Sequence, residues 1–188
     1  MEKPLDASAA LLLIDVQQAF DDPRWGPRNN PQAEPRIAQL LAAFRRAGRP
    51  VCHVKHTSAE PGSTLGPGSP GNAFKPEARP LPGEALFEKS VNSAFIGTEL
   101  ENHLHREGIG TLVIVGFTTN HCVSTTARMA ANLGFHAVVV DDACATFDFK
   151  DEDGAIPAAT MHRVGLAELR GEFAEILETS EVLRRLET

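Results

Sequence analysis

Of the three cysteines, Cys122 is the one placed to do chemistry. It follows the apolar run Thr111 to Gly116 by way of a polar turn, Phe117-Thr118-Thr119-Asn120, and opens a helical stretch over 121–133 that ends at Gly134. A thiol there sits among N–H groups without intrahelical partners, at the positive end of a helix dipole, which favours thiolate. Cys52 falls inside a β-branched run and Cys144 just after one, so both read as small, buried, unreactive thiols. Asp15 closes the run ALLLIDV (10–16), where a buried carboxylate without a partner would cost several kcal/mol. It is either a loop cap or half of an ion pair. Lys89, in Leu86-Phe87-Glu88-Lys89-Ser90, is a candidate partner, with a plain surface lysine as the competing reading.

Other patterns are weaker. Gly66-Pro67-Gly68-Ser69-Pro70-Gly71 fits the letters of a dinucleotide loop, but no strand precedes it and two prolines remove backbone donors. His53 and His56 have opposite parity in a strand, and His103 and His105 lie about 200° apart on a helix, so neither pair converges on a metal. Structural or surface roles are expected for all four.

The elements that must position these residues alternate. Buried strands are read over 10–16, 51–56, 111–116 and 136–142, with a weaker fifth at 173–178. Continuous apolar runs of this kind mark parallel strands covered on both faces. Helices are read over 35–47, 98–107 (capped by Thr98), 121–133 and 157–169, with a short last helix over 180–186 capped by Ser180. The order predicts an α/β fold, a three-layer α/β/α sandwich around a mainly parallel, Rossmann-like sheet. Asp15 and Cys122 then both fall at carboxyl ends of strands, where open α/β sheets bind ligands. Residues 57–85, with six prolines and five glycines, form a long excursion, read as a lid or an oligomer contact.

With 188 residues, one domain over 1–188 is expected. Asp plus Glu number 25 against 18 Lys plus Arg, a net charge of −7 without a basic stripe, so nucleic acid is not an expected partner. No apolar run approaches the length of a membrane helix. Glu2 and Asp6 stand where a signal peptide begins basic, and three cysteines make no disulfide scaffold, so a cytoplasmic location is expected.

Three blocks carry a resemblance: Leu13-Ile14-Asp15-Val16-Gln17-Gln18-Ala19-Phe20, Lys89-Ser90-Val91-Asn92-Ser93-Ala94-Phe95, and Gly116 to Val123 followed by Ser124-Thr125-Thr126-Ala127. Together they make the chain resemble the isochorismatase-like cysteine hydrolases, among them nicotinamidases and N-carbamoylsarcosine amidohydrolases. The resemblance implies a catalytic triad of Asp15, Lys89 and Cys122. It also implies a cis peptide between Phe117 and Thr118, and an oxyanion hole built from the Thr118 and Cys122 N–H groups. The implied reaction is hydrolysis of a C–N bond in a small molecule through a thioester. After the second strand the chain reads His53-Val54-Lys55-His56-Thr57-Ser58, without the Asp-x-His metal ligands of the nicotinamidase branch. No metal and no cofactor are therefore expected. Phe20, Trp25, Asn92, Phe95, His121 and Phe147 are candidate substrate-binding residues by their nearness to the motifs. The resemblance further suggests a homodimer or homotetramer. Vinyl-ether hydrolysis of the isochorismatase type, and a non-catalytic binder or thiol sensor, remain as alternatives.

Overall fold

The computed structural model describes residues 4–187. Six parallel strands form the central sheet: β1 (Ala10–Ile14), β2 (Val51–His56), β3 (Ala85–Lys89), β4 (Thr111–Phe117), β5 (His136–Ala145) and β8 (Ala174–Leu177), in the order β3-β2-β1-β4-β5-β8. A separate antiparallel hairpin joins β6 (Phe149–Asp151) to β7 (Gly154–Ile156). The helices are α1 (Ala33–Arg46), α2 (Leu100–Arg106), α3 (Ser124–Asn132), α4 (Ala158–Leu169) and α5 (Thr179–Glu187).

The period-two alternation of strand side chains divides the core into two layers. Leu11, Leu13, Val113, Val115, Val138 and Val140 pack with Ile37, Leu40, Leu41 and Phe44 of α1 and Val182 of α5. Ala10, Leu12, Ile14, Leu112, Ile114 and Val139 face the other way, against α2, α3 and α4. Because both strand faces are covered, the strands read as unbroken apolar runs. Among the described residues no helix is long and apolar enough to cross a membrane.

Several boundaries differ from the sequence reading. The segment carrying Lys89 is a sheet-edge strand, β3, whose mixed burial hides its apolar signal. Strand β5 runs on through Cys144, which therefore lies inside the sheet. Helix α1 begins at Ala33, two residues before Pro35, since a proline in the first turn forfeits no intrahelical bond. Helix α2 starts at Leu100, with Thr98 Oγ1 accepting from the Leu100 N–H. Helix α5 starts at Thr179, whose N–H and hydroxyl both donate to Asp142, so Ser180 is not its cap. The excursion after β2 is tied down from inside: the Gln18 N–H donates to Ala73 O, the Lys75 N–H to Val16 O, and Asn72 Nδ2 to His56 O.

The sheet reverses its strand order between β1 and β4, the crevice where α/β sheets accept ligands. Gly116 makes their close approach possible. Its φ of +124° is open to glycine alone, and a Cβ there would lie 2.0 Å from Ile14 O. Gly116→Ala is expected to destabilise the fold by about 3 kcal/mol or more, combining strain with overpacking. A thermal melt should then fall by roughly 6 °C or more, and an unchanged midpoint would contradict this account of the β1–β4 contact.

Candidate active site

The carboxyl ends of β1, β3 and β4 deliver three side chains to one point. Asp15 follows β1 directly and turns the chain out of the sheet with φ of +52°, a left-handed conformation that aspartate tolerates better than most residues. Its N–H still donates to Val54 O, and its own carbonyl accepts from the Gln17 N–H. Lys89 is the last residue of β3, and its Nζ donates to Asp15 Oδ2 at 2.6 Å and to Cys122 Sγ at 3.3 Å. Both members of the ion pair are buried, with side-chain exposures of 0% for Lys89 and 1% for Asp15. Among the described residues, the second carboxylate oxygen, Oδ1, is buried without a hydrogen-bond partner.

Cys122 stands differently from the sequence reading. The Phe117–Thr118 peptide is cis, and Thr119–Val123 winds as a π-helical turn in which the Val123 N–H reaches back to Thr118 O. Helix α3 begins only at Ser124. Cys122 thus lies on the wide turn ahead of the helix, a distortion common at functional sites. Thr119 anchors this turn from behind through a hydroxyl contact of 2.8 Å to His162 Nδ1, and His162 Nε2 lies 2.7 Å from Asp141 Oδ1.

The electrostatics follow from burial. Desolvation holds the Asp15 carboxyl above the usual carboxylate range against the pull of Lys89. Burial first, and then the negative charge of Asp15, push the Cys122 thiol up to about 12, with Lys89 acting in the opposite sense. This environment acts against the thiolate that a helix terminus would favour. Desolvation and a neighbouring anion both oppose ionisation of the sulfur, and the helix whose dipole would favour it begins only at Ser124, two residues on.

Asp15 and Cys122 line a cavity of about 590 Å³, within the small-molecule range. Of the candidate binding residues, Phe20, Trp25, Asn92, His121 and Phe147 line it, together with Thr118. The rings of Phe20, Trp25 and Phe147 form one wall, with centroids 5.3–6.1 Å apart. Phe95 does not belong: it stacks on Phe135 in the core at 5.9 Å and lines no part of this cavity. Arg24, His56, Leu65, Asn120, Thr146, Asp148 and Phe149 line the cavity without having been singled out as binding residues. Strand parity separates His56 from His53 and so points to a structural or surface role; in the structure its neighbour is Lys89, opposite it in the β2–β3 register. Two grooves of about 840 and 910 Å³ lie at the sheet's outer edges, but hold neither Asp15 nor Cys122.

One oxygen of Asp15, one ring nitrogen of His56 and Cys122 Sγ lie within 4.8 Å of one another, a spacing a metal ion could bridge. Lys89 Nζ is already within hydrogen-bonding distance of all three residues, including His56 Nδ1 at 3.1 Å. A cation among them would press against the ammonium, so the set does not fit a metal while Lys89 occupies it. Cys52 and Cys144 are fully buried, and neither offers Cys122 an exposed resolving thiol.

Comparison with known proteins gives a consistent result. A family model described as the isochorismatase domain matches residues 9–181. The isochorismatase family protein YrdC of Bacillus subtilis is 45% identical over 180 residues, covering 95% of this chain and 96% of its own. Nicotinamidase 3 of Arabidopsis thaliana is 28% identical over 196 residues, covering 97% of this chain and 91% of its own. A crystal structure of an isochorismatase-family protein from Chromobacterium violaceum superposes with a TM-score of 0.95 at 48% identity, covering 100% of this chain and 99% of that one.

Iodoacetamide should label Cys122 in preference to the two buried cysteines. The labelling rate should rise by about tenfold per pH unit from pH 7 to 9, as for a thiol ionising well above neutrality. Mass spectrometry of the modified peptide reads this, and a plateau below pH 8 would instead reveal a resting thiolate.

Proposed function

The chain belongs to the isochorismatase family, and on that footing we propose that it hydrolyses a C–N bond, in an amide, carbamoyl or lactam group, of a small molecule. Cys122 is the nucleophile, Asp15 the proton carrier and Lys89 the counter-ion they share. The observation that carries this reading is the position of the Lys89 ammonium, in contact with both Asp15 Oδ2 and Cys122 Sγ beside an aromatic-walled cavity. Homology to a nicotinamidase supports the amide class without specifying the substrate.

As sulfur attacks the substrate carbonyl, the thiol proton passes to Asp15, whose unpartnered Oδ1 is the acceptor open to it. The negative charge moves from carboxylate to sulfur and on to the carbonyl oxygen. Lys89 stays paired throughout the first transfer, so the site still contains one anion and one cation. A raised Asp15 lessens the mismatch with a thiol at about 12, which makes it a better base than an ordinary carboxylate. The Thr118 and Cys122 N–H groups take the oxyanion. Asp15 then returns the proton to the departing nitrogen, leaving a thioester at Cys122. Deprotonated again, Asp15 takes a proton from water as it cleaves the thioester, which restores the thiol and releases the acid. No metal enters these steps.

Phe20, Trp25 and Phe147 favour a flat or apolar acyl portion, while Asn92, Asn120 and His121 offer polar contacts at the cavity wall. An ammonia-release screen over benzamide, nicotinamide, phenylacetamide and N-carbamoyl amino acids tests the proposal. At least one should be turned over, with Cys122→Ala inactive and Cys122→Ser retaining less than about a hundredth of the rate, since a hydroxyl ionises far less readily than a thiol. Wild-type turnover in Cys122→Ala would remove the thiol from the reaction.

A further inference from the structure

The three proposed catalytic groups leave one neighbour unexplained. The Lys89 ammonium carries three hydrogens and meets three acceptors: Asp15 Oδ2 at 2.6 Å, His56 Nδ1 at 3.1 Å and Cys122 Sγ at 3.3 Å. An ammonium only donates, so the ring nitrogen facing it must carry a lone pair. His56 is then neutral, with its ring proton on Nε2. Its environment acts in the same direction, since burial first and the charge of Lys89 second push the imidazole down to about 4.

The ring also has a fixed base. The buried Gln17 side chain accepts from the His56 N–H at 2.9 Å and donates to His56 O at 3.0 Å, while Asn72 Nδ2 donates to the same carbonyl at 3.0 Å. Gln17 in turn donates to Asn72 O, so the turn after β1 and the proline-rich excursion hold His56 together. Among the described residues His56 Nε2 has no protein hydrogen-bond partner and is not sealed from solvent, and His56 lines the cavity.

We infer that His56 is the positioning residue for this site: its Nδ1 holds the Lys89 ammonium between Asp15 and Cys122, and its Nε2–H is left as a fixed donor for an acceptor atom of the substrate. The inference rests on the cysteine-hydrolase reading and refines it. It replaces the apparent metal-ligand set with an ammonium and its three holders. It also narrows the substrate class to molecules that bring a carbonyl oxygen or an unprotonated ring nitrogen beside the scissile group.

Nitrogen-15 NMR of histidine in the full chain at pH 8, assigned by loss of one signal in His56→Asn, should show Nδ1 unprotonated and Nε2 protonated. In Lys89→Met that Nδ1 resonance should move. Kinetics with 4-nitrophenyl acetate supply the second readout: the acetyl group passes to Cys122 Sγ, 4-nitrophenolate leaves, and the thiol proton reaches solvent by way of Asp15. His56→Leu should lower kcat/KM by about tenfold or more, as losses of supporting residues commonly do. His56→Asn, whose amide oxygen can take the place of Nδ1, should recover most of that loss, since this ester brings no second acceptor for Nε2–H to hold. A ring protonated on Nδ1 would overturn the inference, as would wild-type kinetics in His56→Leu. In both cases an inert Cys122→Ala leaves the hydrolase reading standing. Should Cys122→Ala release nitrophenolate as fast as wild type, the reading fails and takes the inference with it.

Discussion

An ammonium taken out of water must stay paired, and in this protein it is paired with a carboxylate and a thiol that, in the reaction we propose, exchange a proton. Lys89 touches Asp15 and Cys122 together, with essentially no exposure of its side chain. Separating a new pair of charges in such a place would cost several kcal/mol per ion. Moving one negative charge from oxygen to sulfur beside the same cation avoids that cost. In the proposed reaction a thiol held well above neutrality serves as a nucleophile because it loses its proton only as the partner carboxylate gains it.

Most of the surrounding structure serves that constraint. The sheet reverses its order between β1 and β4, which sets the end of one strand beside the turn that follows the other. Gly116 permits the backbones to approach, and Asp15 leaves the sheet in a left-handed conformation that brings its carboxyl to Lys89. Lys89 comes from the edge strand β3, two strands away from β1, and His56 of the intervening strand lies alongside it. The excursion between β2 and β3 takes the place of a crossover helix. Gln17 and Asn72 bind it to the site, and through Leu65 it supplies part of the cavity wall.

The apolar runs at 10–14, 51–54 and 111–117 are readable because strands buried on both faces have no choice of residue type. The same logic makes Asp15 conspicuous, as a charge at the end of such a run, and Cys122 conspicuous, as a thiol after one. What escapes sequence reading depends on two surfaces meeting. Strand β3 alternates between half-buried and exposed residues before it buries Lys89 at the sheet edge, so its strand character shows only once β2 is beside it. The resting state of Cys122 depends on the distance to Asp15 and on desolvation, neither of which a helix-terminus argument contains. Sequence spacing sets His56 against its neighbour His53, yet its partner lies 33 positions away in the chain. Phe95 was placed by its nearness to a motif, but it turns into the core to stack on Phe135.

The proton exchange between Asp15 and Cys122 is tested most directly by measuring the alkylation rate of Cys122 in Asp15→Asn at pH 8, beside its ammonia release. Removing the carboxylate takes away an anion that opposes sulfur ionisation and leaves Lys89 to stabilise the thiolate alone. Alkylation should therefore become faster than in the wild type by about tenfold or more, equivalent to one pKa unit or more, while turnover is lost. Slower or unchanged alkylation in a folded Asp15→Asn protein would contradict the account, because it would mean that the carboxylate does not govern the charge on the sulfur.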